Sequence, residues 1–189
     1  MDKLFRYMFP NAENGLNYPL FRMVAFLVPM VNIELAIINT SGEILLTYRR
    51  SSPDIPIPGW HLPGGIVRVG ERLQDRIKKT AETEVGFSLK EERIVAMSET
   101  LIPKKMSRRH FISFLVICRP KDYDSKINDY SDLSKFCWFK AEEIPADLIS
   151  NHSRYHAILK KLCQTGLKQF KSILVVEQSE DFTRHFDDL

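Results

Sequence analysis

Residues 59–87 read GWHLPGGIVRVGERLQDRIKKTAETEVGF. Gly64 and Gly65 follow Pro63 at the end of an expected strand, where glycine lets the backbone turn sharply and expose carbonyls to a ligand. From Arg72 to Val85 the apolar residues Leu73, Ile77, Ala81 and Val85 recur every fourth position. That spacing predicts a helix with one buried stripe, and Gly86 is its natural stop. Glu71 stands six residues beyond Gly65 and Glu84 thirteen beyond that, so one acid falls near each end of the helix. The polar remainder of the helix faces something other than the core.

Residues 19–28 suit a short helix ended near Pro29. VNIELAIINTSGEILLTYRR, residues 31–50, reads as two strands rich in Ile, Leu and Val joined by the turn residues Asn39, Thr40, Ser41 and Gly42, a predicted hairpin. SSPDIPIPG carries three prolines in nine residues, each removing a backbone donor and restricting its predecessor, so it is a loop. Residues 93–102 and 110–118 read as two more strands with PKKMSRR as the turn between them, and FCWFK, residues 136–140, as a short strand. AEEIPADLI reads as a broken helical turn. Tyr155, Ile158, Leu159, Leu162 and Leu167 lie near helical spacing and predict a last helix packed on the sheet. Strands, a helix, more strands and a second helix give an α/β chain with a mixed sheet between helices. The expected division is an N-terminal extension over 1–28, one domain over 29–165 and a C-terminal extension over 166–189, in which SILVV suits a further strand and the acidic end is mobile.

At 189 residues and 44% hydrophobic, the chain is long enough to bury one substantial core. Its 27 basic and 24 acidic residues leave a formal charge of +3, too even to mark a nucleic-acid partner. Lys104, Lys105, Arg108 and Arg109 do cluster, either as a solvated turn or as a phosphate contact. Cys118, Cys137 and Cys163 are too few and scattered for a disulfide framework or a CxxC metal site, so reduced thiols and a cytoplasmic location are expected. The most apolar run, FRMVAFLVPMVNIELAII, is interrupted by Arg22, Pro29, Asn32 and Glu34 before the roughly 20 clean residues a membrane span needs. No basic n-region with a small-residue cleavage site is visible, so neither a secretion signal nor a membrane partner is expected.

The central stretch resembles the Nudix hydrolases, whose box runs G-x5-E-x7-R-E-U-x-E-E-x-G-U with U apolar. Gly65, Glu71, Ala81, Glu84, Gly86 and Phe87 match, Lys79 takes the arginine position, and Thr80 and Thr83 replace two glutamates. The WHLPGG lead-in is similar to the aromatic-x-x-P-G-G that commonly precedes the box. The resemblance implies a Nudix α/β/α sandwich and a divalent cation, Mg2+ or Mn2+ in its place, on the diphosphate of a nucleoside diphosphate derivative. It also implies metal ligation by Glu84 and the Gly64 carbonyl, with Glu71 as a further candidate. Magnesium suits such a site because it takes hard oxygen ligands and needs few from the protein when phosphate and water supply the rest.

With threonine at 80 and 83 the box offers one ligand carboxylate and no central acid, so a cluster of metals is not expected. One metal still suffices if the bond broken is carbon to oxygen: water attacks the anomeric carbon with help from a base, and the metal stabilises the departing diphosphate. The chain resembles in this respect the GDP-mannose mannosyl hydrolase branch, whose box also lacks these acids. PMVNIELAIINTSGEILLTYR, PGWHLPGG, RRHFISFLVIC and ISNHSRYHAIL are each similar to segments of that branch, over about residues 29 to 160. The resemblance then implies Arg49 as a contact for the leaving phosphates, Glu34 in place of an aspartate that touches the sugar, and a homodimer. His152 is the candidate general base, because imidazole titrates near neutral pH. It stands two places after the branch's histidine, whose place Ser150 fills. Phe111 occupies the place of a diphosphate-holding tyrosine and Ile66 that of an arginine, for which Arg68, Lys104 or Arg109 would compensate.

Each assignment has a plainer counterpart. Glu71 pairs with Lys79, His110 is a rim residue, His152 is an ordinary helix-start residue with His156 as the fallback base, and Trp60 packs in a loop rather than stacking on a base. Two other functions stay open. One is an ordinary Nudix pyrophosphatase cleaving a P–O bond with Glu99, Glu91 or Glu92 as recruited acids; the other is a nucleotide-sugar binding protein without turnover.

Overall fold

The structure is a computed structural model that describes residues 15–51, 58–101, 110–121, 136–146, 148 and 152–165, with positions 3, 7 and 9. The predicted turn holding Lys104, Lys105 and Arg109, most of the proline loop, Ser150 and the segment from 166 onward lie outside the described residues.

Helix α1 spans Tyr18–Leu27. Asn17 starts it by accepting the Leu20 N–H on its side chain at 3.1 Å, and Pro19 fits the first turn, where its missing donor costs nothing. Strands β1 (Met30–Ile37), β2 (Ile44–Arg49), β3 (Gly59–His61) and β4 (Gly64–Ile66) follow. Helix α2 (Leu73–Thr80) runs directly into a π-helical turn over Ala81–Val85. Gly86, at φ 78°, ends it in the left-handed conformation that favours glycine, donating its N–H to the Ala81 carbonyl at 2.8 Å. Strands β5 (Leu89–Leu101), β6 (His110–Pro120) and β7 (Phe136–Phe139) precede a 3-10 turn at Ser153–Tyr155 and helix α3 (His156–Thr165).

One sheet is mixed, in the order β4-β1-β6-β5, with β1 and β6 parallel; the other is antiparallel, in the order β3-β2-β7. The predicted hairpin is therefore only half formed. Its turn is present, with the Asn39 carboxamide oxygen accepting the Glu43 N–H at 2.9 Å, but pairing stops after the single bridge Ile38↔Ile44. A strand has two edges: β4 and β6 occupy those of β1, while β3 and β7 occupy those of β2, leaving neither an edge for the other.

The layers follow from the alternation of side chains along β1. Ile33, Leu35 and Ile37 pack with Leu45, Val116 and Cys118 beneath Ile77, Ala81 and Val85, the stripe predicted for α2. Ala36 and Ile38 face the other way, onto a cluster with Leu115, Ile117, Tyr155, Leu159 and Leu162 beneath α3. At the far end of that face Ala25 of α1 covers Met30 and Phe111, with Phe21 and Ile66 alongside. This is the expected α/β/α sandwich with its mixed sheet between helices. No helix among the described residues is long and apolar enough to cross a membrane.

Candidate functional site

The site lies at the free edge of β4. The β1–β4 ladder bonds pass through Pro63 and Val67, with Leu35 N–H donating to the Pro63 carbonyl and Val67 N–H to the Val31 carbonyl, each at 2.8 Å. Gly64, paired with Glu34 across the strands, is thus a position whose N–H and C=O both point away from β1. Its N–H donates to the Glu84 carboxylate at 3.3 Å. A side chain at Gly64 would bring Cβ within 2.6 Å of the Ile33 carbonyl, so glycine is needed for this close approach.

Glu84 comes from the π-helical turn, an extra-residue bulge of the kind often found where a helix presents a side chain to a site. Burial raises its carboxyl above the ordinary value, with the Gly64 N–H and the Arg49 guanidinium opposing the rise. Burial also lowers Arg49, at the end of β2, and Glu84 opposes that change. Gly64, Glu84 and Arg49, named from the family resemblance, thus lie together.

Beside this group lies a buried acid–imidazole pair. Glu34 is 3% exposed and His152 6%, and His152 Nε2 faces Glu34 Oε1 across 3.5 Å. His152 Nδ1 accepts the Leu62 N–H at 3.0 Å, so the neutral ring carries its proton on Nε2 and directs it at Glu34. Burial, then Arg49 and Arg154, push His152 down to about 3. Both nitrogens are engaged, and in this arrangement no lone pair of His152 is left for a water. Glu34 is the group with spare capacity: among the described residues its Oε2 has no hydrogen-bond partner. Burial raises its carboxyl, while the Tyr155 hydroxyl, Arg154 and Ser113 oppose the rise.

His61 was not foreseen; in the sequence it is only a spacer of the WHLPGG run. On β3 it pairs with Thr47 of β2. Its Nδ1 donates to the Leu62 carbonyl at 2.7 Å and its Nε2 accepts the Thr47 hydroxyl at 3.1 Å. Burial, Arg49 and His152 hold it down to about 3, and its ring lies 5.9 Å from that of His152. Tyr155, expected as part of an apolar stripe, reaches the Ser98 hydroxyl at 2.7 Å.

The remaining expected residues are held elsewhere. Glu71 Oε2 accepts from the Arg68 N–H at 2.9 Å and from Arg76 Nε and Nη2 at 2.8 and 2.7 Å. Its partner is Arg76, not Lys79. Burial opposes its ionisation, but these donors outweigh it and hold the carboxyl below its ordinary value. The Arg68 guanidinium packs on the backbone of Gly15, whose added Cβ would meet Cζ at 3.2 Å. Phe111 is buried under α1, where a ring without a polar group is suited to the apolar cluster. Glu99 pairs with His110 at 2.9 Å, and the His156 ring faces the Ile144 carbonyl at 3.4 Å. Trp60 packs edge-on between Tyr48 and Phe139, at 5.2 and 4.9 Å. Thr80 is buried against Gly65, where a Cβ would meet its hydroxyl at 3.1 Å, and Thr83 donates to the Lys79 carbonyl at 2.7 Å.

The Gly64 carbonyl and the Glu84 carboxylate are hard oxygen donors at one strand edge, a fit for Mg2+ or Mn2+. Among the described residues no three His, Cys, Asp or Glu side chains converge on a common point. A cation at this edge would complete its shell with phosphate oxygens and water.

The two histidines set an expected acid response. Each has a folded value of about 3 against the ordinary 6.5, so the unfolded chain binds more protons between those limits. The stability they confer is complete above about pH 6.5 and is lost as pH falls toward 3, each costing about 2 kcal/mol by pH 5. Glu34 and Glu84, raised by burial, run the other way: their contribution is complete below the ordinary carboxylate value of 4.5 and fades as pH rises through the folded one. Urea unfolding of wild type and His61→Gln at pH 8 and pH 5 should show a smaller acid loss in the variant; equal losses would mean that His61 is not a neutral buried ring.

A family model described as the NUDIX domain matches residues 29–160. No curated protein is significantly similar to the chain in sequence. Among solved structures, an ADP-ribose pyrophosphatase from Streptococcus suis 89-1591 is similar at 17% identity and a TM-score of 0.52, covering 79% of this chain and 100% of that one. A MutT protein from Bacillus halodurans is similar at 15% identity and a TM-score of 0.56, covering 81% and 92%. A UDP-X diphosphatase is similar at 18% identity and a TM-score of 0.54, covering 93% and 84%. These likenesses concern the fold, and the family model spans the box, the Gly64 edge and the Glu34–His152 pair together. The chain belongs to the NUDIX domain family.

Proposed function

We propose that the protein hydrolyses a nucleoside diphosphate sugar, of the GDP-mannose or GDP-glucose type, to nucleoside diphosphate and free sugar by attack of water on the anomeric carbon. The observation that carries this reading is the position of the spare acid. The box helix contributes Glu84 to the Gly64 edge, while the acid with an unspent oxygen, Glu34, sits one strand inward and opposite Gly64.

With the diphosphate at the Gly64 edge, Arg49 meets its negative charge and the sugar projects over β1 toward Glu34. Glu34 takes a proton from water as the oxygen bonds to the anomeric carbon, and the electron pair of the carbon–oxygen bond leaves on the β-phosphate. His152 is a positioning residue here. Anchored through Nδ1 on the Leu62 N–H, it turns Nε2–H toward one carboxylate oxygen and leaves the other for water. A divalent cation held by Glu84 and the Gly64 carbonyl would neutralise charge on the departing diphosphate.

A product assay tests this reading. Incubation with GDP-mannose or GDP-glucose and Mg2+ should yield GDP and free hexose, resolved by ion-exchange chromatography. GMP with hexose phosphate would assign the reaction to phosphorus, and tight binding without either product would make the protein a nucleotide-sugar sensor.

A further inference from the structure

The chain changes sheets between two short strands. β3 ends at His61 in the antiparallel sheet and β4 begins at Gly64 in the mixed one, so Leu62 and Pro63 form the joint. Pro63 already belongs to the second ladder through its carbonyl, which accepts the Leu35 N–H. Leu62 falls between the two registers and is fully buried, so its N–H and C=O need partners inside the protein. Both partners are imidazoles. The Leu62 carbonyl accepts from His61 Nδ1 at 2.7 Å, and the Leu62 N–H donates to His152 Nδ1 at 3.0 Å.

These two bonds fix the proton on each ring. A carbonyl can only accept, so His61 carries its proton on Nδ1 and leaves Nε2 as the acceptor for the Thr47 hydroxyl, 3.1 Å away on the residue directly opposite in β2. A peptide N–H can only donate, so His152 carries its proton on Nε2, the atom that faces Glu34 Oε1 at 3.5 Å. Thr47, His61, the Leu62 backbone, His152 and Glu34 thus form one path from β2 to β1 through a single residue of the joint. Burial keeps both rings neutral, as the path requires. The partner of one imidazole nitrogen decides what the other nitrogen can do. The direction of the His152 proton therefore depends on a Leu62 backbone that cannot turn, and His61 holds that backbone from the carbonyl side.

We infer that His61 is a positioning residue for the Glu34–His152 pair: it holds the Leu62 backbone so that its N–H meets His152 Nδ1, and so keeps the Nε2 proton of His152 on Glu34. This rests on the reading above for what Glu34 does in turnover. Two amides separate the functions of the His61 ring. The amide of asparagine stands at the place of Nδ1 and can donate to the Leu62 carbonyl, whereas that of glutamine stands at the place of Nε2, beside Thr47, and cannot.

The test joins ring spectra to rates. In protein labelled with 15N-histidine at neutral pH, two-bond proton–nitrogen spectra of wild type should show His61 as the Nδ1–H tautomer and His152 as the Nε2–H tautomer, each ring assigned by its loss in a variant. His61→Gln should move part of His152 into the Nδ1–H form. It should also lower kcat for hexose release from GDP-mannose with Mg2+ by about fivefold to tenfold, the worth of one hydrogen bond, with KM within about twofold. His61→Asn should recover both readouts. In a His152→Gln background, His61→Gln should cost nothing further, because its effect passes through that ring. The opposite tautomer on either ring overturns the inference. So does a full added loss in the His152→Gln background, or an Asn variant no better than Gln, either of which would reduce His61 to packing. Should His61→Gln not fold, the wild-type tautomers decide. Release of GMP and hexose phosphate with the expected tautomers would overturn the proposed reaction and leave the path standing; hexose release with either tautomer reversed would do the opposite.

Discussion

Glu34→Gln is expected to lower kcat for hexose release by about three orders of magnitude, within the range by which a positioned general base accelerates a reaction, with KM within a few-fold of wild type. The substitution is nearly isosteric and keeps an oxygen toward His152, so the loss reports basicity rather than packing. Stability should hold or rise slightly, because an amide removes the cost of ionising a carboxyl that is 3% exposed and raised by burial. His152→Gln should lose less, on the order of tenfold to a hundredfold, since in the proposed reaction the imidazole orients the carboxylate and does not itself take the proton. Steady-state rates for both variants decide the order. If Glu34→Gln keeps a tenth or more of wild-type kcat while His152→Gln falls a thousandfold, the base is His152 and the ring must release the Leu62 N–H during turnover.

What could be read in the chain divides according to how local its causes are. The box helix was legible because its four-residue stripe is a property of the helix itself, and Gly86 because only a left-handed residue ends the turn as it does. The partners of β1 were not: the turn at Asn39–Gly42 forms as expected, but strand edges are filled by segments far away in the chain. The same division runs through the site. Arg49, Glu84, Gly64, Glu34 and His152 were all named from spacing and resemblance, and the fold brings them to one edge and the strand behind it. The engagement of both His152 ring nitrogens was not legible, because it depends on a hydrogen bond to an N–H 90 residues away. His61 turns inward through its register opposite Thr47, and the Tyr155 hydroxyl finds Ser98 across 57 positions. Phe111 looked like a lost diphosphate contact because the docking of α1 over it could not be foreseen.

Glu84→Gln carries the second large effect. Glutamine can still accept the Gly64 N–H, so the strand–helix contact at 3.3 Å and the fold should persist. The change removes the carboxylate at the Gly64 edge and the negative neighbour of Arg49. Binding of Mn2+ in the presence of GDP, followed by electron paramagnetic resonance, should weaken by at least tenfold, and kcat/KM should fall by about a hundredfold or more, as when a metal ligand or its immediate support is lost. The paired readout separates two causes. Lost activity with unchanged Mn2+ affinity would mean that Glu84 acts through Arg49 alone; full activity would remove the cation from this edge altogether. Thr83→Glu is the informative companion. Thr83 is exposed and bonded to its own helix at Lys79, so an acid there is tolerated by the fold and adds a second carboxylate near Glu84. If the bond broken is carbon to oxygen, that acid should raise Mn2+ affinity without raising hexose release, because the step limited by Glu34 gains nothing from a second charge on the diphosphate. A shift of products toward GMP and hexose phosphate would instead show that the two box threonines decide which bond this chain breaks.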